Sequence, residues 1–179
     1  MVTAGYDNGD LKMFDLRSMS LYWETQLPNG ICSLAFDRKD IEMNKLLATC
    51  LEGRVHMWDL RTFNDKKGGF AGLSYKVEKG HQTIWGGAFL PQNREVFATL
   101  GGSGSLGLYK YNYPQERTEK LKDNTVQGVV GHIEKLQEGA LGDQPLSAFD
   151  WSRDKTGLGV CTGFDQKIRL VIVTKLNTL

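Results

Sequence analysis

Val2-Thr3-Ala4-Gly5-Tyr6-Asp7-Asn8-Gly9-Asp10-Leu11-Lys12-Met13-Phe14-Asp15-Leu16-Arg17 aligns position by position with Leu46-Leu47-Ala48-Thr49-Cys50-Leu51-Glu52-Gly53-Arg54-Val55-His56-Met57-Trp58-Asp59-Leu60-Arg61. Each stretch is a strand, a turn ending in glycine, a second strand and a closing aromatic-Asp-Leu-Arg. In the second strand Leu11 and Met13 alternate with Lys12 and Phe14, as Val55 and Met57 do with His56 and Trp58. That period of two places one set of side chains on each face of a sheet. No stripe of helical period competes with it, so the chain is expected to be all-β.

Two further copies follow. Phe97 to Lys110 keeps an aromatic, Tyr109, but has Lys110 where Asp stood; Leu158 to Ile172 keeps only the pattern, with Val171 in the aromatic place. Phe14, Trp58, Tyr109 and Val171 are thus separated by 44, 51 and 62 residues. Only the first step fits the roughly 40–45 residues of a propeller blade of the WD type, so the later repeats carry insertions. Composition places these in Asn64-Asp65-Lys66-Lys67-Gly68-Gly69 and in the polar stretch from Pro114 to Asn124. Between the hairpins lie three short apolar runs, 31–36, 84–89 and 146–151. Bounded by turn residues, they are expected to be innermost strands buried on both faces.

The reading is a partial WD-repeat β-propeller of about 3.5 blades of four-stranded antiparallel sheets, with three, four, four and three strands. It divides as an incomplete repeat over 1–27, a repeat over 28–63, a loop over 64–81, a repeat over 82–113, an insertion over 114–144 and a last repeat over 145–179. The chain opens partway through a blade. Missing amino-terminal blades or a second copy are therefore expected to cover the open edge, because an uncovered apolar face and unpaired strands invite association.

Composition narrows the function classes. Lysine and arginine number 22 against 21 acids, a net charge of +1, so no broad field draws in nucleic acid. The pair Lys66-Lys67 is expected to be a solvated loop. Cys32, Cys50 and Cys161 lack the spacing of a disulfide framework or zinc site, which suits a reducing compartment. No apolar run is long enough for a membrane span and the first residues do not resemble a signal peptide, so the cytoplasm is the expected address.

No motif calls for catalysis, a cofactor or a metal. Gly102-Ser103-Gly104-Ser105-Leu106-Gly107 has the glycine pattern of a dinucleotide loop, but an alternating strand follows it, where pyrophosphate binding needs a helix. A hairpin turn is expected instead. His56, His81 and His132 have no ligand spacing, and Asp37, Asp40 and Asp165 sit where Asp bonds nearby backbone. Tyr109, Tyr111 and Tyr113 share a strand face, which leaves burial or partner contact open for Tyr111 and Tyr113. Trp85 and Phe89 on an inner strand are expected to line the core or channel. The aromatic-Asp-x-Arg ends bearing Arg17 and Arg61 either brace the blade or meet a partner.

With Ala4-Gly5-Tyr6-Asp7-Asn8-Gly9-Asp10, Cys32-Ser33-Leu34-Ala35-Phe36-Asp37-Arg38-Lys39-Asp40, Leu90-Pro91-Gln92-Asn93-Arg94-Glu95 and Leu170-Val171-Ile172-Val173-Thr174-Lys175-Leu176-Asn177, the sequence resembles the carboxy-terminal half of the Monad family of WD-repeat proteins. The resemblance spans nearly the whole chain and is weakest over 113–142. It implies a non-catalytic scaffold or adaptor in chaperone-assisted assembly, with axonemal dyneins as clients and with AAA+ ATPases and prefoldin-like co-chaperone subunits as partners. Arg17 and Arg61 also resemble the blade-end motif of substrate receptors for cullin-type ubiquitin ligases, the alternative reading. The sequence departs from a typical WD blade in lacking any complete His, Ser/Thr, Asp, Trp network. Gly80-His81 is its only well-placed Gly-His pair, so packing is expected to carry more of the stability.

Overall fold

The computed structural model describes residues 1–38, 42–65, 68–77, 82–120 and 126–176. Its elements are strands throughout. Blade 1 is the sheet β1 (Val2–Gly5), β2 (Asp10–Asp15), β3 (Ser20–Gln26). Blade 2 is β4 (Ile31–Phe36), β5 (Lys45–Cys50), β6 (Arg54–Asn64), β7 (Gly69–Lys76). Blade 3 is β8 (Ile84–Leu90), β9 (Asn93–Gly101), β10 (Ser105–Asn112), completed by β13 (His132–Ala140). Between β10 and β13 the chain forms a separate two-stranded sheet, β11 (Thr118–Lys120) with β12 (Val126–Gly128). Blade 4 is β14 (Leu146–Trp151), β15 (Leu158–Gly163), β16 (Ile168–Ile172). All pairings are antiparallel, and the inner strands β4, β8 and β14 lie side by side.

The repeated hairpin has a backbone cause. Its turn ends in a left-handed residue: Gly9 at φ 88°, Gly53 at 67°, Gly104 at 79° and, in blade 4, Gln166 at 62°. Glycine takes that conformation without a Cβ clash, which is why the first three turns end in it. The aromatic places are equivalent, with Phe14 facing Val2, Trp58 facing Leu46, Tyr109 facing Phe97 and Val171 facing Gly159.

Three cores lie between four sheets. Leu11, Met13 and Trp23 of blade 1 meet Leu46, Ala48 and Trp58 of blade 2, where the indoles of Trp23 and Trp58 cross edge to face at 5.6 Å. The alternate residues of blade 2, Leu47, Val55 and Met57, meet Phe89, Phe97 and Tyr109 of blade 3. The other face of blade 3, Ala98, Leu100 and Leu108, meets Leu146, Trp151 and Cys161 of blade 4. Period-two alternation therefore sends neighbouring residues of one strand into different cores. The chain is part of a propeller with the expected three, four, four and three strands.

Two expectations need correction. The span 64–81 is not simply a loop, since it holds β7, and the insertion over 114–144 holds β13 as well as β11 and β12. Both β7 and β13 are outer strands with much of their length in water, so neither needs an apolar run. The glycine-rich segment from Gly102 is a hairpin turn followed by β10, as expected. Lys66-Lys67, Gly80-His81 and Asp40 lie outside the described residues. No helix among the described residues is long and apolar enough to cross a membrane.

Candidate protein-interaction surface

At one end of blades 2 and 3 the strand ends gather charge around a single ring, that of Tyr113. Asp37 follows β4 and Lys45 opens β5; both side chains are fully buried and pair at 3.2 Å. Arg94, entering from blade 3, donates Nε to the same Asp37 oxygen at 2.9 Å. The other Asp37 oxygen accepts the amides of Asn44 and Lys45 at 2.9 and 3.2 Å. Burial pushes the Asp37 carboxyl up, but Arg94, the Lys45 charge and the two amides outweigh it and hold the group below its ordinary value. Lys45 Nζ also donates to the Tyr113 hydroxyl and lies 4.7 Å from its ring centre. Asp37 is thus the anchor that makes a buried lysine tolerable here.

Arg61 closes this cluster from the end of β6. Its guanidinium is bidentate on Asp59, Nε to Oδ1 at 2.9 Å and Nη2 to Oδ2 at 2.7 Å, and sits 5.1 Å from the centre of the Tyr113 ring. Arg117 approaches the same ring at 5.6 Å. Beside them an open cleft of about 330 Å³ is bounded by Arg61, Thr62, Phe63, Asn64, Arg117 and Val126. It is floored by the β11–β12 sheet, which Asn64 ties down through a hydrogen bond from Nδ2 to the Val126 carbonyl at 2.8 Å.

The residues singled out by sequence divide accordingly. Arg61 and Tyr113 come together and are partly exposed. Tyr111 does not offer a surface: it is 1% exposed, stacks edge to face on Tyr113 at 5.0 Å and accepts the Gly131 amide at 2.8 Å. Alternation placed these rings on one face correctly, but that face packs against blade 2. Arg17 is exposed in the turn after β2, where its amide donates to Asp15 Oδ1 at 2.9 Å and, with its charge, holds the Asp15 carboxyl below the usual range.

Of the other candidates, Asp165 is held by Arg169 and the Lys167 amide at about 2, an ion-paired turn carboxylate. His56 stacks on Trp58 at 5.9 Å, and burial, then the nearby Arg54 charge, lowers its pKa. Phe89 enters the core between blades 2 and 3, whereas Trp85 is 41% exposed. Sequence reasoning missed Asp37, Lys45 and Arg94 as a unit, because their meeting depends on blade-to-blade contact rather than on spacing.

No protein-family model matches the chain. It is 57% identical over 179 residues to dynein axonemal assembly factor 10 of Xenopus tropicalis, covering 100% of this chain and 49% of that protein. The Homo sapiens protein of the same name is 55% identical over 179 residues, with the same coverage. That of Chlamydomonas reinhardtii is 53% identical over 174 residues, 97% of this chain and 48% of its own length. Among solved structures, Sqt1 from Chaetomium thermophilum superposes with a TM-score of 0.65 at 17% identity over 94% of this chain and 37% of that one, a likeness of fold alone. Neither the Asp59-bound Arg61 nor these relatives favour a ubiquitin-ligase receptor. The chain spans about half the length of the curated relatives it matches, and end to end it is a strong homologue of that half of the dynein axonemal assembly factor 10 proteins.

Proposed function

We propose that the chain is a non-catalytic WD-repeat scaffold or adaptor in chaperone-assisted assembly of protein complexes, acting in cytoplasmic preassembly of axonemal dyneins. The observation that carries this is the end-to-end identity with proteins named for dynein assembly. The geometry supports a holding role, since rigid stacked sheets present charged and aromatic groups on loop rims. Arg61 and Tyr113, with Arg17 on the neighbouring blade, are the proposed partner contacts. AAA+ ATPases and prefoldin-like co-chaperone subunits are the proposed partners and dynein chains the clients. The face of blade 4 carrying Ile168, Leu170 and Ile172 stands open and is proposed to be covered by further blades or by a second copy.

Affinity purification of the tagged chain from ciliated cells tests the role. Co-chaperone subunits and dynein chains are expected above a control propeller, and their absence would overturn it. Light scattering tests the cover: association is expected, and a compact, well-behaved monomer would count against it.

A further inference from the structure

One rim of the molecule repeats a construction that the charged cluster does not use. The hairpins β1–β2, β5–β6, β9–β10 and β15–β16 turn over at Asp7, Leu51, Gly102 and Phe164, the first residue of each turn. The amides of Leu51, Gly102 and Phe164 donate to the carbonyls of Gly30, Thr83 and Pro145 at 3.1, 2.9 and 3.0 Å. Each acceptor is the residue just before an inner strand. The same bond in three blades therefore pins this turn position beside the start of each inner strand.

A side chain held there has no core to enter. Leu51 is 45% and Phe164 61% exposed. Blade 3 has Gly102 instead, where a Cβ would lie 3.2 Å from the Thr83 carbonyl oxygen and 3.6 Å from Nε1 of Trp85, so the indole lies in contact range beside this turn position. Trp85 is 41% exposed and meets the Phe164 ring edge to face at 6.2 Å. Three successive blades thus present one large apolar group each on the same rim, a clustering unlike scattered surface residues.

Charge gives the rim a direction. Asp7 holds the equivalent place in blade 1 and Glu52 follows Leu51; neither forms an ion pair among the described residues. At the other end Asp165 is neutralised by Arg169, and Ser103 is uncharged. The nearby Arg54 is turned toward the outer strand, where it donates to Ser74 Oγ at 3.1 Å.

We infer that this rim docks a short extended peptide segment of a partner protein, with apolar side chains over Trp85 and Phe164 and basic ones toward Asp7 and Glu52. An acidic segment would be repelled at the blade 1 end. The inference rests on the chain being a protein-binding platform and adds where and with what chemistry it binds.

Trp85 supplies the readout, because Trp23, Trp58 and Trp151 are buried. A short phenylalanine- and lysine-containing peptide is titrated against the intact chain, with a counterpart carrying glutamate for lysine, while acrylamide quenching of tryptophan emission is followed. The lysine peptide is expected to shield Trp85 and to bind at least about tenfold more tightly than the glutamate peptide. Leu51→Ser with Phe164→Ser is expected to abolish binding at an unchanged thermal midpoint. Asp7→Asn with Glu52→Gln is expected to weaken it and remove its salt dependence. Equal binding of the two peptides, or unaltered binding by the Leu51→Ser, Phe164→Ser chain, would overturn the assignment. Capture of assembly partners by that variant at the wild-type level would overturn the rim while leaving the platform standing; failure of the wild-type chain to capture them would instead count against the platform.

Discussion

Blades 2 and 4 are built from the same hairpin yet meet opposite surroundings. Along β6, Val55, His56, Met57 and Trp58 are all buried, because blade 1 covers one face and blade 3 the other. Along β16, Ile168, Leu170 and Ile172 are 76%, 77% and 73% exposed, because only one face has a neighbour. The strand does not bury itself; the adjacent sheets do. β16 nevertheless carries large apolar residues on its open face, a composition suited to being covered.

The sharpest way to break the contrast is at Asp37 in blade 2. Asp37→Ala leaves Lys45 buried beside Arg94 without a counter-ion, and is expected to cost about 3–5 kcal/mol in denaturant unfolding. Leu47→Ala, between blades 2 and 3, is expected to cost about 2–5 kcal/mol, whereas Leu170→Ala in blade 4 should stay within about 0.5 kcal/mol. Comparable losses at the two leucines would end the comparison. A smaller effect is expected at Gly72, where an added Cβ would lie 2.4 Å from Trp58 Cδ1. Gly72→Ala should therefore destabilise by about 1–3 kcal/mol through overpacking, checked by thermal melting.

Acid titration sharpens the contrast further. The folded-state pKa of Asp37 is depressed. Its contribution is therefore fully present above the unfolded value of about 3.9 and is lost as pH falls through the lower folded value. Unfolding free energy should fall on acidification, and Asp37→Asn should flatten that slope. A slope unchanged by the substitution would remove Asp37 as its source. Asp165, held at about 2 by Arg169, acts with the same sign, but it lies on the surface of blade 4, where solvent screens the pair.

Much of the fold was legible because it is repeated locally. The inner strands at Ile31, Ile84 and Leu146 were visible as apolar runs bounded by turns, and the hairpins as copies ending in glycine. The places of the outer strands β7 and β13 were not, because a strand half in water needs neither an apolar run nor a motif. The charged cluster was hidden for another reason: Lys45 and Tyr113 are 68 residues apart and meet only when blades 2 and 3 stack. Tyr111 shows the limit of periodicity, which assigns a side chain to a face but does not say whether a neighbouring blade covers it. Trp85 shows the converse, an inner-strand aromatic drawn outward to the rim beside Gly102.

Hydrogen–deuterium exchange, read separately for β6 and β16, tests most directly whether neighbouring sheets confer the protection. The account predicts that β6 amides exchange only on global unfolding, while β16 amides exchange much faster through local opening. Equal protection of the two strands, or faster exchange in β6, would contradict it.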